Sequence, residues 1–248
     1  MLLSVTLITR DAAGQLADCL ASVTFADEII VVDSGSTDDT VELARRHGAR
    51  VLQHEWLGFG PQKQFAVEAA SHDWVLCVDA DERVSPQLRE QIVTELKAPR
   101  GFVYAAPRRN RFLGHWLRHG EGYPDWSVRL FHRAHARWGS EPVHEKVVSR
   151  SPVLKLSGDL LHDSAETLEK YLDKQNRYTS LQAEAMHAEG HRASALQMTI
   201  SPVLRFFKYY VLRLGFLDGV PGLVHIAIGC MNSFNKYAKL KALERSAQ

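Results

Sequence analysis

The sequence predicts an α/β protein, a mostly parallel sheet with helices on both faces followed by a helical C-terminal extension. Three observations carry that expectation. Short apolar runs alternate with helix-period segments through the first hundred residues, as right-handed βαβ units require. The runs EIIVVD (28–33) and WVLCV (74–78) are apolar at successive positions rather than alternate ones, which marks strands buried on both faces. Beyond Glu166 strand signals stop and the chain reads as helical.

Taken in order, residues 2–9 form the first strand, and Leu16, Cys19, Leu20 and Val23 mark one helix face. Residues 28–33 form the second strand. SGSTDDT follows as a turn and helix start, with Ser36 or Thr37 as the expected N-cap. Residues 50–54 read as a third strand. Gly58, Gly60 and Pro61 break the chain before a helix through Phe65 and Ala69. Residues 74–78 are the fourth strand. Ser85-Pro86 is an N-cap and first-turn pair for a helix carrying Leu88, Ile92 and Leu96 on one face. From about residue 100 the alternation fades. Residues 102–106, 128–131 and 154–161 read as strands, the first two separated by the basic, aromatic stretch RRNRFLGHWLRHGEGYPDW. The later helices break near Ser201-Pro202 and across Gly219–Gly222. This divides the chain into an α/β domain over 1–165, with halves 1–99 and 100–165, and a helical region over 166–248.

Composition sets bounds on function. At 248 residues, with 45% apolar and 24% charged residues, the chain has ordinary globular proportions. Cys19, Cys77 and Cys230 are scattered in apolar stretches and form no CxxC pair, which points to buried free thiols in a reducing compartment. MLLSVTLITRD has no basic leader or small-residue cleavage site and reads as a core strand, not a signal peptide. The net charge of +1 conceals a division. Residues 1–99 hold 8 Lys and Arg against 16 Asp and Glu; residues 100–150 hold 10 against 4; residues 201–248 hold 7 against 2. The acidic part suits a divalent cation, and the basic parts suit phosphates or an anionic membrane.

Ligands of such sheets bind beyond the carboxyl ends of the strands, where Asp33 and Asp79 both stand. Asp79-Ala80-Asp81 follows its strand directly, so two carboxylates on one tight turn can hold Mg²⁺ or Mn²⁺ bridged to a diphosphate. Asp33-Ser34-Gly35 ends the second strand. Asp33 has the chemistry to accept from a uracil imide, and Gly35 allows close backbone approach; a helix-capping turn without ligand would use the same residues. Asp38 and Asp39 are read as first-turn acids that complement the helix dipole. The loop TRDAAG after the first strand is not GxGxxG, which disfavours a dinucleotide oxidoreductase. Nor is it the glycine-rich basic loop of a sugar-nucleotide pyrophosphorylase, the alternative enzyme; a degenerate nucleotide-sugar-binding module is the non-enzyme alternative. HEKVV lacks the second histidine of a zinc protease. No nucleic-acid module accompanies Arg108, Arg109, Arg111 and Arg118. Interleaved with Phe112 and Trp116, these read as an acceptor lip.

The ordered set TLITRD, VVDSGSTDDT, CVDADER, YPDWSVRLFHR, PVHEK and FLDG resembles family-2 glycosyltransferases of the GT-A fold, in particular the lipopolysaccharide and lipooligosaccharide inner-core β-1,4-glucosyltransferase branch. The resemblance covers nearly the whole chain. It implies UDP-glucose as donor, a divalent cation, inversion at the anomeric carbon and a lipid-linked core heptose as acceptor. By position, Asp33 matches the nucleotide-binding acid and Asp79 and Asp81 the metal motif. Many members carry Glu-Asp where this chain has Pro124-Asp125, so Asp125 is the preferred general base, with Glu145 as its rival. His144 is a candidate further metal ligand or phosphate contact. Arg129 is a candidate for holding the diphosphate. The aromatic and basic C-terminal helices are too broken for a membrane span. They read as a basic amphipathic anchor on the cytoplasmic face of the inner membrane, or else as a core cap or dimer contact.

Overall fold

A computed structural model of the chain describes residues 1–139, 145–164 and 167–246. The strands are β1 (Leu3–Thr9), β2 (Glu28–Asp33), β3 (Arg50–Gln53), β4 (Trp74–Cys77), β5 (Glu82–Val84), β6 (Val103–Phe112), β7 (His115–Trp116), β8 (Asp125–His132), β9 (Ala136–Trp138), β10 (Val147–Ser149), β11 (Val153–Lys155) and β12 (Leu160–His162). The helices are α1 (Ala13–Ser22), α2 (Thr40–Arg46), α3 (Phe59–Glu68), α4 (Pro86–Lys97), α5 (Leu168–Ala188), α6 (Ala195–Phe206) and α7 (Gly219–Ser246). A π-helical segment (Phe207–Leu212) and a 3-10 turn (Gly215–Asp218) lie between α6 and α7.

Two units divide the chain. The first comprises residues 1–108 and 126–162, and the second residues 109–125 and 163–248. The structural division near residue 165 therefore falls at 162/163, and the aromatic, basic stretch 109–125 goes with the helical unit. The main sheet runs in the order β3-β2-β1-β4-β8-β6-β12-β5, with β7 and β11 also paired to β6. β1, β2, β3 and β4 are mutually parallel, and β8 enters antiparallel to β4. This is the GT-A arrangement of the α/β class.

The consecutive apolar runs do bury both faces. Val31 of β2 packs with Leu16, Leu20, Leu88 and Ile92 on one side. Ile30 and Val32 pack with Ala66, Val67, Phe131 and Trp138 on the other. Parallel pairing of β1 with β2 sets Thr9 opposite Asp33, and pairing with β4 sets Thr6 opposite Cys77. The carboxyl ends of β1 and β2 are thereby level, while β4 ends three residues short of them, opposite Thr6.

Several local expectations change. The helix after β2 starts at Thr40, not near Ser36 or Thr37. Those two side chains are engaged elsewhere: Ser36 Oγ donates to Asp33 and accepts from Asp11 N, and Thr37 Oγ1 donates to Asp11. Pro61 sits inside the first turn of α3, where a missing N–H costs nothing. The single strand expected over 154–161 is two, β11 and β12, separated by Gly158. A Cβ at Gly158 would lie 2.3 Å from the Leu88 nitrogen, so glycine lets this crossing touch the start of α4. β6 runs on to Phe112, and β5 at the sheet edge carries too little pattern to be read from sequence. α6 passes through Pro202 without a break and opens on a Ser194–Gln197 capping box.

Within the second unit, α5 and α6 both pack on α7. Buried Asp218 of the FLDG motif accepts from the backbone nitrogens of Arg118 and His119 and contacts His119 Nδ1 at 3.1 Å. This fastens the loop after β7 to the 3-10 turn.

Candidate active site

Asp79 leaves β4 as a half-buried carboxylate with both oxygens engaged. Lys63 Nζ lies 3.0 Å from Oδ1, and Arg129 Nη2 donates to Oδ2 at 2.8 Å. Both cations are buried. Desolvation opposes ionisation of Asp79, yet the charges of Arg129 and Lys63 outweigh it and hold the carboxyl well below the usual range. Arg129 is further fixed by the fully buried Glu82, which accepts at 2.6 Å and also takes the Asp79 N–H. Burial alone would lower the guanidinium pKa, but Asp79 and Glu82 raise it. Trp138 lies beneath both cations, 4.8 Å from Lys63 Nζ and 5.8 Å from the Arg129 guanidinium carbon.

Lys63 also reaches Glu145, 3.4 Å away. Its neighbour Gln62, fully buried, donates to Ser34 Oγ at 3.0 Å. Two successive residues of α3 therefore tie together the turn after β2, the turn after β4 and the strand-flanking Glu145. Gly60 makes this possible, because a Cβ there would lie 2.1 Å from the carbonyl oxygen of Gly139.

Asp33 is fully buried, and its carboxylate is spent on its own turn and on Thr9 at the end of β1. Oδ1 accepts from the nitrogens of Gly35 (3.1 Å) and Ser36 (2.9 Å); Oδ2 accepts from Thr9 Oγ1 (3.1 Å) and Ser36 Oγ. Four donors fill the acceptor sites of a carboxylate. Gly35 takes φ +84°, with open space where a side chain would project. Asp38 accepts from Thr40 and from Ala13 N at the start of α1, so it links two helix starts and not only its own. The hydroxyl bond from Thr40 leads the contacts that lower its pKa.

Asp81 meets His162, with Nε2 3.1 Å from Oδ2. That spacing matches two adjacent ligands on one ion with bonds of about 2.1 Å. The surrounding cluster sets four carboxylates (Asp79, Asp81, Glu82, Glu145) against three fixed cations (Lys63, Arg108, Arg129). Arg129 Nε is buried without a hydrogen-bond partner. Excess acid, an oxygen–nitrogen pair at chelating distance and an orphaned guanidinium donor fit a divalent cation completed by phosphate and water. Among the described residues, no three His, Cys, Asp or Glu side chains form a cage by themselves, as expected where substrate oxygens finish the shell.

Of the residues singled out from sequence, Asp79, Asp81, Arg129 and Glu145 fall in this one cluster, and Asp33, Ser34 and Gly35 join it through Gln62. Asp125 opens β8 and belongs to the second unit. His144 lies outside the described residues. The sequence reading missed Gln62, Lys63, Glu82 and His162, and assigned Arg108 to an acceptor lip, whereas it lies against Glu82. His162 was within reach, since it ends a strand after two leucines as Asp33 and Asp79 end theirs; the expected strand stopped one residue short. Lys63 gave no signal, because a helical lysine is ordinarily solvated.

The Glycosyl transferase family 2 model matches residues 4–155, and the chain belongs to that family. It is a glycosyltransferase, which sets aside the pyrophosphorylase and the non-catalytic module. An uncharacterised glycosyltransferase of Rickettsia felis is 30% identical over 260 residues, covering 96% of this chain and 89% of that protein. The lipopolysaccharide core biosynthesis glycosyltransferase LpsC of Rhizobium meliloti (strain 1021) is 29% identical over 246 residues, covering 96% and 91%. Among solved structures, glucosyl-3-phosphoglycerate synthase from Mycobacterium tuberculosis, crystallised with Mn²⁺, UDP and glucosyl-3-phosphoglycerate, is similar over 44% of each chain, with 27% identity and a TM-score of 0.39.

Proposed function

We propose that this protein is an inverting hexosyltransferase that moves glucose from UDP-glucose to a hydroxyl of a lipid-linked lipopolysaccharide core sugar, in the cytoplasm where sugar nucleotides are made. The observation that carries the reading is the pairing of Asp81 with His162 beside Asp79, whose carboxylate is held by buried Lys63 and Arg129. The relationship to a core-biosynthesis enzyme over most of both chains supports the acceptor class.

Asp81 and His162 would hold Mg²⁺ or Mn²⁺, with Asp79 setting the turn; His144 is proposed as a further contact. When bound, the cation supplies positive charge to the departing diphosphate. Lys63 and Arg129 present two more fixed charges at the same place without reorganising, which is where such stabilisation is most effective. Ser34 and Gly35 bound the nucleotide position, with Asp33 holding their turn rigid.

Inversion requires a carboxylate on the face away from the leaving group to take the acceptor proton. Asp125 is assigned that role. Glu145 is the second reading, favoured by its position on the same lysine as Asp79; that shared lysine equally suits a charge that steadies Lys63. The experiment is a panel of sugar nucleotides with Mg²⁺ or Mn²⁺, scored for nucleoside diphosphate release. UDP-glucose should turn over, EDTA should stop it, and Asp81→Ala should match the EDTA result. Turnover undiminished by EDTA, or preference for another base or sugar, would contradict the donor and metal assignment.

A further inference from the structure

We infer that the corner formed by α6, the π-helical segment, the 3-10 turn and the start of α7 inserts its apolar side chains into one leaflet of an anionic bilayer. None of the residues of α6 or of the π-helical segment is buried, yet this stretch is rich in large apolar side chains. Leu196, Ile200, Val203, Leu204, Phe207 and Val211 recur at helical spacing along one exposed stripe. The stripe continues around the corner through Leu212, Leu214, Phe216, Leu217 and Val220. Val203 at 67%, Leu212 at 66% and Val220 at 70% exposure are as open to solvent as surface lysines usually are. A contiguous apolar face of this extent marks an interaction surface.

Charge identifies the occupant. From residue 190 to residue 243 the only acidic residue is Asp218, and it is buried. The same span carries Arg192, Lys208, Arg213 and Lys236, besides Arg205, which pairs with Glu121, Lys239, which donates to α5, and Lys241, which pairs with Glu244. An anionic headgroup layer complements that field. A second copy meeting this face with its own would set like charges against like.

Shape decides the depth. Among the described residues, no single helix is long and apolar enough to cross a membrane. The arms 195–212 and 215–245 reach the required length and hydropathy only together, and they meet at 75°. Such a bend excludes a straight crossing and presents its apolar corner outward. The sequence alone pointed to a basic amphipathic anchor; the uncovered stripe makes apolar insertion the larger part. Salt, which screens charge to a Debye length of about 3 Å at 1 M, does not weaken apolar burial.

The test is flotation of the full chain with phosphatidylglycerol–phosphatidylcholine vesicles, at low salt and in about 1 M NaCl, where the Debye length is ~3 Å. Wild type should float at low salt, and most of it should stay bound at high salt. Lys208→Gln with Arg213→Gln should weaken low-salt binding roughly thirtyfold. Val203→Glu with Leu212→Glu should abolish the salt-resistant fraction, with circular dichroism unchanged; Val203→Ser with Leu212→Ser is the milder pair if the first fails to fold. Three results would overturn the inference: no flotation at low salt, complete release of wild type at 1 M, or light scattering showing a dimer that the Val203/Leu212 variants dissociate. UDP release without vesicles reads the proposed activity separately and should be the same in all these variants.

Discussion

Asp33 and Asp79 look alike in the sequence, each an acid ending an apolar strand, but their surroundings differ. Asp33 is fully buried and meets neutral donors, Gly35 and Ser36 of its own turn and Thr9 at the end of β1. Asp79 meets two buried cations from separate elements. The first organises a loop; the second gathers two buried cations at the end of β4. The two candidate bases separate by a similar argument. Glu145 shares Lys63 with Asp79, so its neutralisation disturbs the cationic cluster, whereas Asp125 opens a strand in the other unit. Asp125→Asn should keep UDP affinity by calorimetry while transfer falls roughly 10²–10⁴-fold, the usual worth of general base catalysis. Glu145→Gln should change UDP affinity as well as rate. The reverse pattern would transfer the base role to Glu145.

Single polar side chains also join whole elements. Glu28, at the start of β2, accepts from Ser4 Oγ of β1 at 2.6 Å, from Ser71 N and Oγ before β4, and from Arg50 Nη2 of β3 at 2.8 Å. Burial opposes its ionisation, but those hydrogen bonds outweigh it and lower the pKa to about 2. Because the folded value lies below the unfolded one, the stabilisation is complete above about pH 4.5 and is lost as pH falls toward 2. Glu28→Gln should therefore cost about 1–3 kcal/mol at pH 7. Chemical denaturation should show that difference shrinking between pH 4.5 and pH 2; a gap independent of pH would contradict the linkage. The α6 corner shows the same need for magnitudes. A fully buried Leu, Val or Phe is worth about 1.5–3 kcal/mol, against about 1 kcal/mol per basic residue near an anionic surface. The side chains left uncovered thus decide how the segment binds, and composition did not reveal which those were.

The parallel sheet was legible because β2 and β4 are apolar at successive positions, a pattern set by burial on both faces and independent of partners. Strand ends then located Asp33, Asp79 and Asp81. What escaped notice depends on distant contacts: β5 forms an edge only because β12 pairs with it, and Lys63 is buried only because Asp79, Glu145 and Trp138 surround it. The grouping of residues 109–125 with the helical unit likewise follows from contacts such as those of Asp218, which lie about a hundred residues away in sequence. Inverting transfer onto a core glycan is the proposed work of that acidic, cation-studded cluster. It is tested most directly by incubating the full chain with UDP-glucose, Mg²⁺ and lipopolysaccharide truncated to its inner core, then reading mass and anomeric configuration of the product. The acceptor should gain one hexose in β linkage. An α-linked hexose, or UDP release with no change in the acceptor, would contradict it.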